Sequence, residues 1–354
     1  MTFDDKKIET KGIRYLGSKN KIIPTILKVV NNLPVKEKTM IDVFTGTTRV
    51  AQAFKEDGWL VTTSDLSWAS EAYSNNFIGL SDNSHLQIHI DEMNKLQGIS
   101  GWLTNNYCDV TTADGGIVKV WKPKNGKKAD AMREYIETLN ISREEKMCLI
   151  TSIIFSLDKI DNTVGLQQAY LKKWASSRVD TDLKVSLIPS VAGKKGKHIV
   201  GDALKIQYPN AEIAYLDPPY TAADYSTYYH IWDSITAWDK PAVSLKTNRR
   251  IDRVKSSDDH DKNMKSPWYS KAGALAATKK LIDRLPVKYC VFSYSDEGII
   301  DKADMEKLCS QYKSVEWHEQ EHDRHVMSRI GAGGSEAENA DKKKLSEWII
   351  VIEK

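Results

Sequence analysis

The chain lacks the features that would place it in several large classes. No run of 18 apolar residues occurs in its 354 residues, so a membrane-spanning helix is not expected. The opening Met1-Thr2-Phe3-Asp4-Asp5-Lys6-Lys7 has no apolar core of a secretory signal, and a soluble, cytoplasmic protein without a membrane partner is expected. The four cysteines, Cys108, Cys148, Cys290 and Cys309, form no Cys-x-x-Cys pair; they read as reduced thiols, not disulfides or metal ligands. His318, His322 and His325 lie near Glu319, Glu321 and Asp323, and His85 and His89 are four residues apart, but neither group has zinc spacing. No metal is expected. A net charge of +3 is too small for a global basic field to guide the reading.

What is present supports an enzyme built on an α/β core. A hydrophobic share of 41% can supply a sizeable core, and the length predicts a core of about 200 residues plus an insertion. Thr39 to Phe44 reads as a strand, Thr45-Gly46-Thr47-Thr48 as a tight turn, and Arg49 to Phe54 as a helix by its apolar spacing. Gly46 lets a ligand approach the backbone, and the helix start presents unpaired N–H groups. A second strand, Leu60 to Ser64, delivers Asp65 where a carboxylate can bind a ribose diol. A plain βαβ unit without ligand remains open. An oxidoreductase would need a Gly-x-Gly-x-x-Gly fingerprint after the first strand, and none is there.

The most informative residues are Asp217-Pro218-Pro219-Tyr220, which follow the apolar Ile213-Ala214-Tyr215-Leu216. That tetrapeptide reads as a buried parallel strand, and two prolines cannot continue a ladder. Asp217 thus sits at a strand's carboxyl end, where open α/β sheets bind ligands. An exocyclic base amine is a poor nucleophile because its lone pair is delocalised. Two acceptors, the Asp217 carboxylate and the Pro218 carbonyl, can take its hydrogens and free that lone pair, while Tyr220 offers a stacking face. The bland alternative is a turn with a half-buried tyrosine.

Taken in order, these segments resemble the Dam-like, D12-class N6-adenine DNA methyltransferases. Tyr15-Leu16-Gly17-Ser18-Lys19 is similar to the N-terminal motif of that family, and Asp42-Val43-Phe44-Thr45-Gly46-Thr47-Thr48 to its cofactor loop. Gly201-Asp202-Ala203-Leu204 is similar to the segment whose acid contacts the cofactor adenine. Tyr228-Tyr229-His230, Phe292 to Gly298 and Trp348-Ile349-Ile350 look like parts of a subgroup that includes modification enzymes of restriction systems. The resemblance covers residues 11–79 and 198–352. It implies S-adenosylmethionine as cofactor, held by Tyr15, Gly17, Lys19, Asp42, Phe44, Gly46, Asp65 and Asp202. It also implies catalysis by Asp217, Pro218, Pro219 and Tyr220 on a base flipped from double-stranded DNA, and a cognate restriction endonuclease acting on the same site as a partner. The implied fold is a Rossmann-like S-adenosylmethionine-dependent methyltransferase sheet with helices on both faces, in a monomer. One departure stands out: Thr48 occupies the place of the family's second glycine, so a less close backbone approach is expected there.

On this reading residues 1–79 and 198–354 form the catalytic domain, and 80–197 a mostly helical insertion for target recognition. Within it, 85–97 and 142–157 have helical spacing, and Tyr107 to Trp121 suggests a hairpin. Gly331 to Lys344 is expected to be a turn before a last strand, Trp348 to Ile352. Lys194 and Lys195 lie in a glycine-flanked loop. Residues 240–271 carry Lys240, Lys246, Arg249, Arg250, Arg253, Lys255, Lys262, Lys265 and Lys271 against four aspartates, an excess of five positive charges. Lys194, Lys195, Arg249 and Arg250 are therefore expected to meet DNA phosphates or guanine edges. Cytosine N4 methylation is the nearest rival, more often built on Ser in place of Asp217. Methylation of RNA or of a protein amide and a catalytically inactive DNA-binding module are more remote.

Overall fold

The computed structural model describes residues 9–111, 115–167, 173–174, 177–220, 225–261, 266–323 and 344–354. Among these residues the strands are β1 (Thr39–Val43), β2 (Leu60–Asp65), β3 (Cys108–Thr111), β4 (Ile117–Lys119), β5 (Lys197–Val200), β6 (Ala211–Leu216), β7 (Val287–Ser295), β8 (Ser314–Asp323) and β9 (Lys344–Glu353). The helices are α1 (Ile23–Asn31), α2 (Arg49–Glu56), α3 (Trp68–Ser74), α4 (Gln87–Lys95), α5 (Trp102–Tyr107), α6 (Pro123–Thr138), α7 (Arg143–Ile160), α8 (Tyr225–Tyr228), α9 (His230–Ala237), α10 (Lys271–Arg284) and α11 (Lys302–Cys309). None of the described helices is long and apolar enough to cross a membrane. The expected turn at residues 331–343, together with His325, Lys262 and Lys265, lies outside the described residues.

The chain folds as two compact units, one of Met1–Ser18, Thr45–Asp202 and Asp224–Lys265, the other of Lys19–Phe44, Ala203–Ala223 and Ser266–Lys354. The expected insertion, 80–197, falls wholly within the first unit.

In the second unit β1, β6 and β7 run parallel, and β9 pairs antiparallel with both β7 and β8. The apolar runs of β6 and β7 fit strands buried on both faces. On one face Ala214, Leu216, Cys290, Phe292, Trp348 and Ile350 pack with Ala277, Leu281 and Ile282 of α10 and with Met305 and Leu308 of α11. Side chains alternate along a strand, so Tyr215, Ser293, Ser295 and Glu347 share the opposite face. The register sets Leu216 beside Phe292, and Ser295 opposite Glu347. This α/β arrangement delivers Asp217 just past the end of β6, as the sequence predicts.

The first unit holds the parallel pair β2–β5, with Asp65 beside Val200. Helix α7 is its central rod: Leu149, Ile150, Ile153, Ile154 and Leu157 are all buried. A capping box starts it, with the Ser142 hydroxyl accepting from Glu145 N and the Glu145 side chain accepting from Ser142 N. The hairpin expected between Tyr107 and Trp121 forms from β3 and β4, with a bulge between Cys108 and Val110. Buried Asp130 accepts from the backbone N–H of Gly101, Leu103 and Thr104, which ties the start of α5 to α6.

Candidate active site

Asp217 belongs to a cluster of charges in the second unit. Lys19 lies in a short turn before α1 and is buried; its Nζ is 3.2 Å from Asp217 Oδ1 and 2.5 Å from Glu347 Oε1. Ser293 Oγ donates to the same Glu347 oxygen at 2.9 Å. The Lys19 ammonium also sits 4.8 Å above the Tyr220 ring, and Tyr220 meets Tyr294 edge-on at 5.9 Å. Asp217 Oδ1 is buried and, despite its distance from Lys19, accepts no well-aligned hydrogen bond among the described residues. The side chain as a whole keeps 18% exposure. Pro218 is buried, and Pro219 and Tyr220 are half-buried.

The electrostatics follow from one cation serving two carboxylates. Burial pushes the Asp217 carboxyl up to about 6; Lys19 pulls it down, and Glu347 pushes it further up. Burial opposes the charge on Lys19 too, but Asp217 and Glu347 outweigh it and hold the ammonium well above the ordinary lysine range. At neutral pH the site therefore keeps an ionised Asp217 as a strong acceptor beside the Tyr220 ring. The sequence named Lys19 and Asp217 separately; their contact, and the presence of Glu347 and Ser293, required the fold.

The turn after β1 is organised in the first unit. Thr45 N donates to Ser64 O at 3.0 Å, Gly46 N to Asp65 Oδ2 at 2.8 Å and Ser67 N to Asp65 Oδ1 at 2.9 Å. Asp65 is thus held in place by backbone N–H groups on both oxygens. Burial raises the Asp65 carboxyl, while these N–H groups lower it. Gly46 has φ +51°, and a Cβ there would lie 3.4 Å from the Tyr15 hydroxyl. Tyr15 stacks on Tyr229 at 4.4 Å, and the Tyr229 hydroxyl accepts from Leu16 N. Gly17, at φ 80°, turns the chain next. Asp233 on α9, which the sequence reading missed, accepts from Ser67 Oγ and Ala69 N and fixes the start of α3. Asp202 is half-buried, one residue after Gly201, whose N donates to Asp65 O.

Thr48 resolves the departure noted in the sequence. It adopts φ 62°, ψ 13°, the left-handed conformation a glycine would take. It is fully buried, and its Oγ1 accepts from Gln52 Nε2 at 3.0 Å. The glycine-like backbone is kept, and a side-chain hydrogen bond offsets a strain of about 1 kcal/mol. In the second unit, Phe44 also has a positive φ, 64°, and meets Trp268 edge-on; Asp42, on β1, is buried.

The basic segments divide. Lys194 and Lys195 are exposed between Gly193, at φ 127°, and Gly196, whose N donates to Ile78 O. Arg250 corrects the sequence expectation. It is 2% exposed, pairs with Asp239 at 2.6 Å and Asp252 at 2.8 Å, and lies 4.9 Å from the Trp68 ring. A guanidinium so enclosed cannot present its charge to a phosphate. Arg253 is buried against Asp252 as well, Lys240 pairs with Glu134, and Lys271 with Asp301 and Asp304. Counting charges along the sequence could not reveal that these cations are paired internally. Arg249 is half-buried, and Lys246 is exposed beside it in the same turn.

Comparison with known proteins adds an independent line. The family model for D12 class N6 adenine-specific DNA methyltransferase matches residues 15–326. Modification methylase StsI of Streptococcus sanguinis is 29% identical, over 85% of this chain and 46% of that protein. Modification methylase LlaI of Lactococcus lactis subsp. lactis is 26% identical, over 97% and 55%. Type II methyltransferase M.NlaIII of Neisseria lactamica is 25% identical, over 97% and 99%. The chain therefore spans about half the length of the first two relatives and nearly all of the third.

Proposed function

Because the chain belongs to the D12 class N6 adenine-specific DNA methyltransferases, we propose that it transfers the methyl group of S-adenosylmethionine to adenine N6 at a short site in double-stranded DNA. The observation that carries this reading is Asp217: a partly exposed carboxylate at the end of β6, held by Lys19 through Oδ1 only and followed at once by two prolines and an aromatic ring. An amine can donate to the carboxylate oxygen that Lys19 does not hold.

The roles follow from the chemistry. Adenine N6 inside a duplex cannot be approached in line, so the nucleotide swings out at a cost of a few kcal/mol. Asp217 accepts one amine hydrogen and the Pro218 carbonyl the other, and Tyr220 stacks on the ring. Charge-assisted acceptance by a carboxylate is stronger than acceptance by a hydroxyl. Asp217 takes the proton only as the N–C bond forms, since the free amine is a very weak acid.

Bound S-adenosylmethionine supplies an activated methyl group, so positioning and polarisation are the protein's tasks. The loop fits such a ligand: Gly46, at φ +51°, turns the backbone tightly under Tyr15, and the half-buried Asp65 carboxylate stands at the end of β2 beside it. Gly46, Gly17 and Tyr15 shape that space, Asp65 receives the ribose and Asp202 the adenine, with Asp42 and Phe44 setting the end of β1. Lys194 and Lys195 meet phosphates, with Arg249 in support. Residues 80–197 read the target, and a cognate endonuclease cuts the same sequence when unmethylated.

The test is expression in a host free of DNA methylation, followed by genome-wide mapping of modified bases. N6-methyladenine confined to one short sequence is expected; an unmodified genome alongside a folded, abundant protein overturns the proposal.

A further inference from the structure

Two carboxylates, one buried and one partly exposed, share one buried ammonium in the second unit, and the sharing is unequal. Lys19 Nζ is 2.5 Å from Glu347 and 3.2 Å from Asp217. Glu347 is held from behind: β9 pairs with β7 so that Glu347 faces Ser295, and Ser293, two residues earlier on the same face, donates to Glu347 Oε1. Glu347 is only 3% exposed and Ser293 not at all, so this is a built arrangement and not a surface ion pair. Were Lys19 and Asp217 alone, a buried lysine and aspartate would close into a full salt bridge, occupying the acceptor and lowering its basicity.

We infer that Glu347 is a positioning residue for Asp217: it draws the Lys19 ammonium towards β9, so that Lys19 holds Asp217 only loosely through the buried Oδ1 and the other carboxylate oxygen stays a strong acceptor for the adenine amine. The inference rests on the methyl-transfer reading above and adds a residue to it. The groups facing Asp217 are Lys19 from the turn before α1, Glu347 from β9, and the phenols of Tyr215 on β6 and Tyr220 beyond it, with Asp42 on β1 acting on Tyr215. Among them Glu347 is the one fixed negative charge on Lys19 besides Asp217 itself. Its like charge also keeps Asp217 basic, in line with the raised carboxyl.

Glu347→Gln keeps the shape and the acceptor for Lys19 and Ser293 but removes the charge, so Lys19 turns its full attraction on Asp217. The Asp217 titration midpoint is expected to fall by about 1 pH unit, and the single-turnover methylation rate at its pH plateau by about tenfold, with cofactor Kd unchanged. The Asp217 carboxyl can be followed by carbon-13 NMR, assigned by its loss in Asp217→Asn, in the presence or absence of activity. A midpoint that stays near the wild-type value, or rises, overturns the role of Glu347 even if DNA is methylated. A shifted midpoint in a wild-type protein that methylates nothing upholds the electrostatic role and rejects the methyl-transfer reading. If Glu347→Gln does not fold, Glu347→Asp, whose charge is drawn back by one methylene, is expected to give a smaller downward shift, and no shift overturns the inference.

Discussion

Two buried charge clusters in this protein have opposite accounts. Around Arg250, two guanidiniums, Arg250 and Arg253, meet two carboxylates, Asp239 and Asp252, over the face of Trp68. Positive and negative charges are equal in number, and three ion pairs join them. Around Asp217, one ammonium meets two carboxylates, and the Asp217 oxygen nearest the ammonium accepts no well-aligned hydrogen bond. A balanced network fixes a loop and is weak evidence of anything else. An unbalanced one leaves negative charge in excess, which a fold tolerates where a ligand completes it. The excess negative charge, more than burial or charge as such, separates the Asp217 cluster from the Arg250 cluster.

The strongest way to break this contrast is Asp217→Asn. Methylation is expected to fall by at least about 10³-fold, with cofactor binding retained in calorimetry; appreciable turnover would remove Asp217 from the mechanism. Stability should change in the opposite sense. Burial raises the folded-state carboxyl from 3.8 to about 6, so its contribution to stability is full below pH 3.8 and lost as pH rises through 6. The asparagine variant should therefore gain on the wild type in urea titrations as pH goes from 4 to 8, and a gap that narrows over that range would contradict the assignment.

Arg250→Ala should behave as a scaffold lesion. Deleting the buried guanidinium removes its packing on Trp68 and its ties to the partly exposed Asp239 and Asp252, at a cost of about 1–3 kcal/mol, readable as a lower urea midpoint. The slope of log affinity for DNA against log salt should stay unchanged in folded protein; a shallower slope would return Arg250 to the phosphate-binding set. Replacing Lys194 and Lys195 together should do the converse, making that slope shallower by about one to two units with the urea midpoint held. The smallest effect is expected of Thr48→Gly. The left-handed backbone is already in place, so relief of strain and loss of the Gln52 hydrogen bond should nearly cancel, within about 1 kcal/mol, with cofactor Kd unchanged.

Local chemistry was legible in the sequence; long-range pairing was not. The β1 turn and helix, Asp65 at the end of β2 and Asp217 at the end of β6 all follow from apolar periodicity and from residues with special backbone demands. Each of those signals lies within a few residues of the group it positions. Glu347 had no such signal. It lies 130 residues from Asp217 and joins it only because β9 returns antiparallel along β7 in one register; a slip of one residue would turn it to the other face. Arg250 misled for a different reason: its partners Asp239 and Asp252 are close in sequence, but burial leaves no mark on composition. Thr48 looked like a lost glycine because residue type, not backbone angle, is what a sequence displays.

The central claim, that the carboxylate of Asp217 handles an adenine amine, is tested most directly by the identity of the product. Purified protein, duplex DNA and S-adenosylmethionine carrying a deuterated methyl group are incubated, the DNA is digested to nucleosides, and mass spectrometry locates the label, with Asp217→Asn as the blank. Label in N6-methyladenine, absent from the blank, is the expected result. Label chiefly in N4-methylcytosine, or equal label with and without the Asp217 carboxylate, would contradict the account.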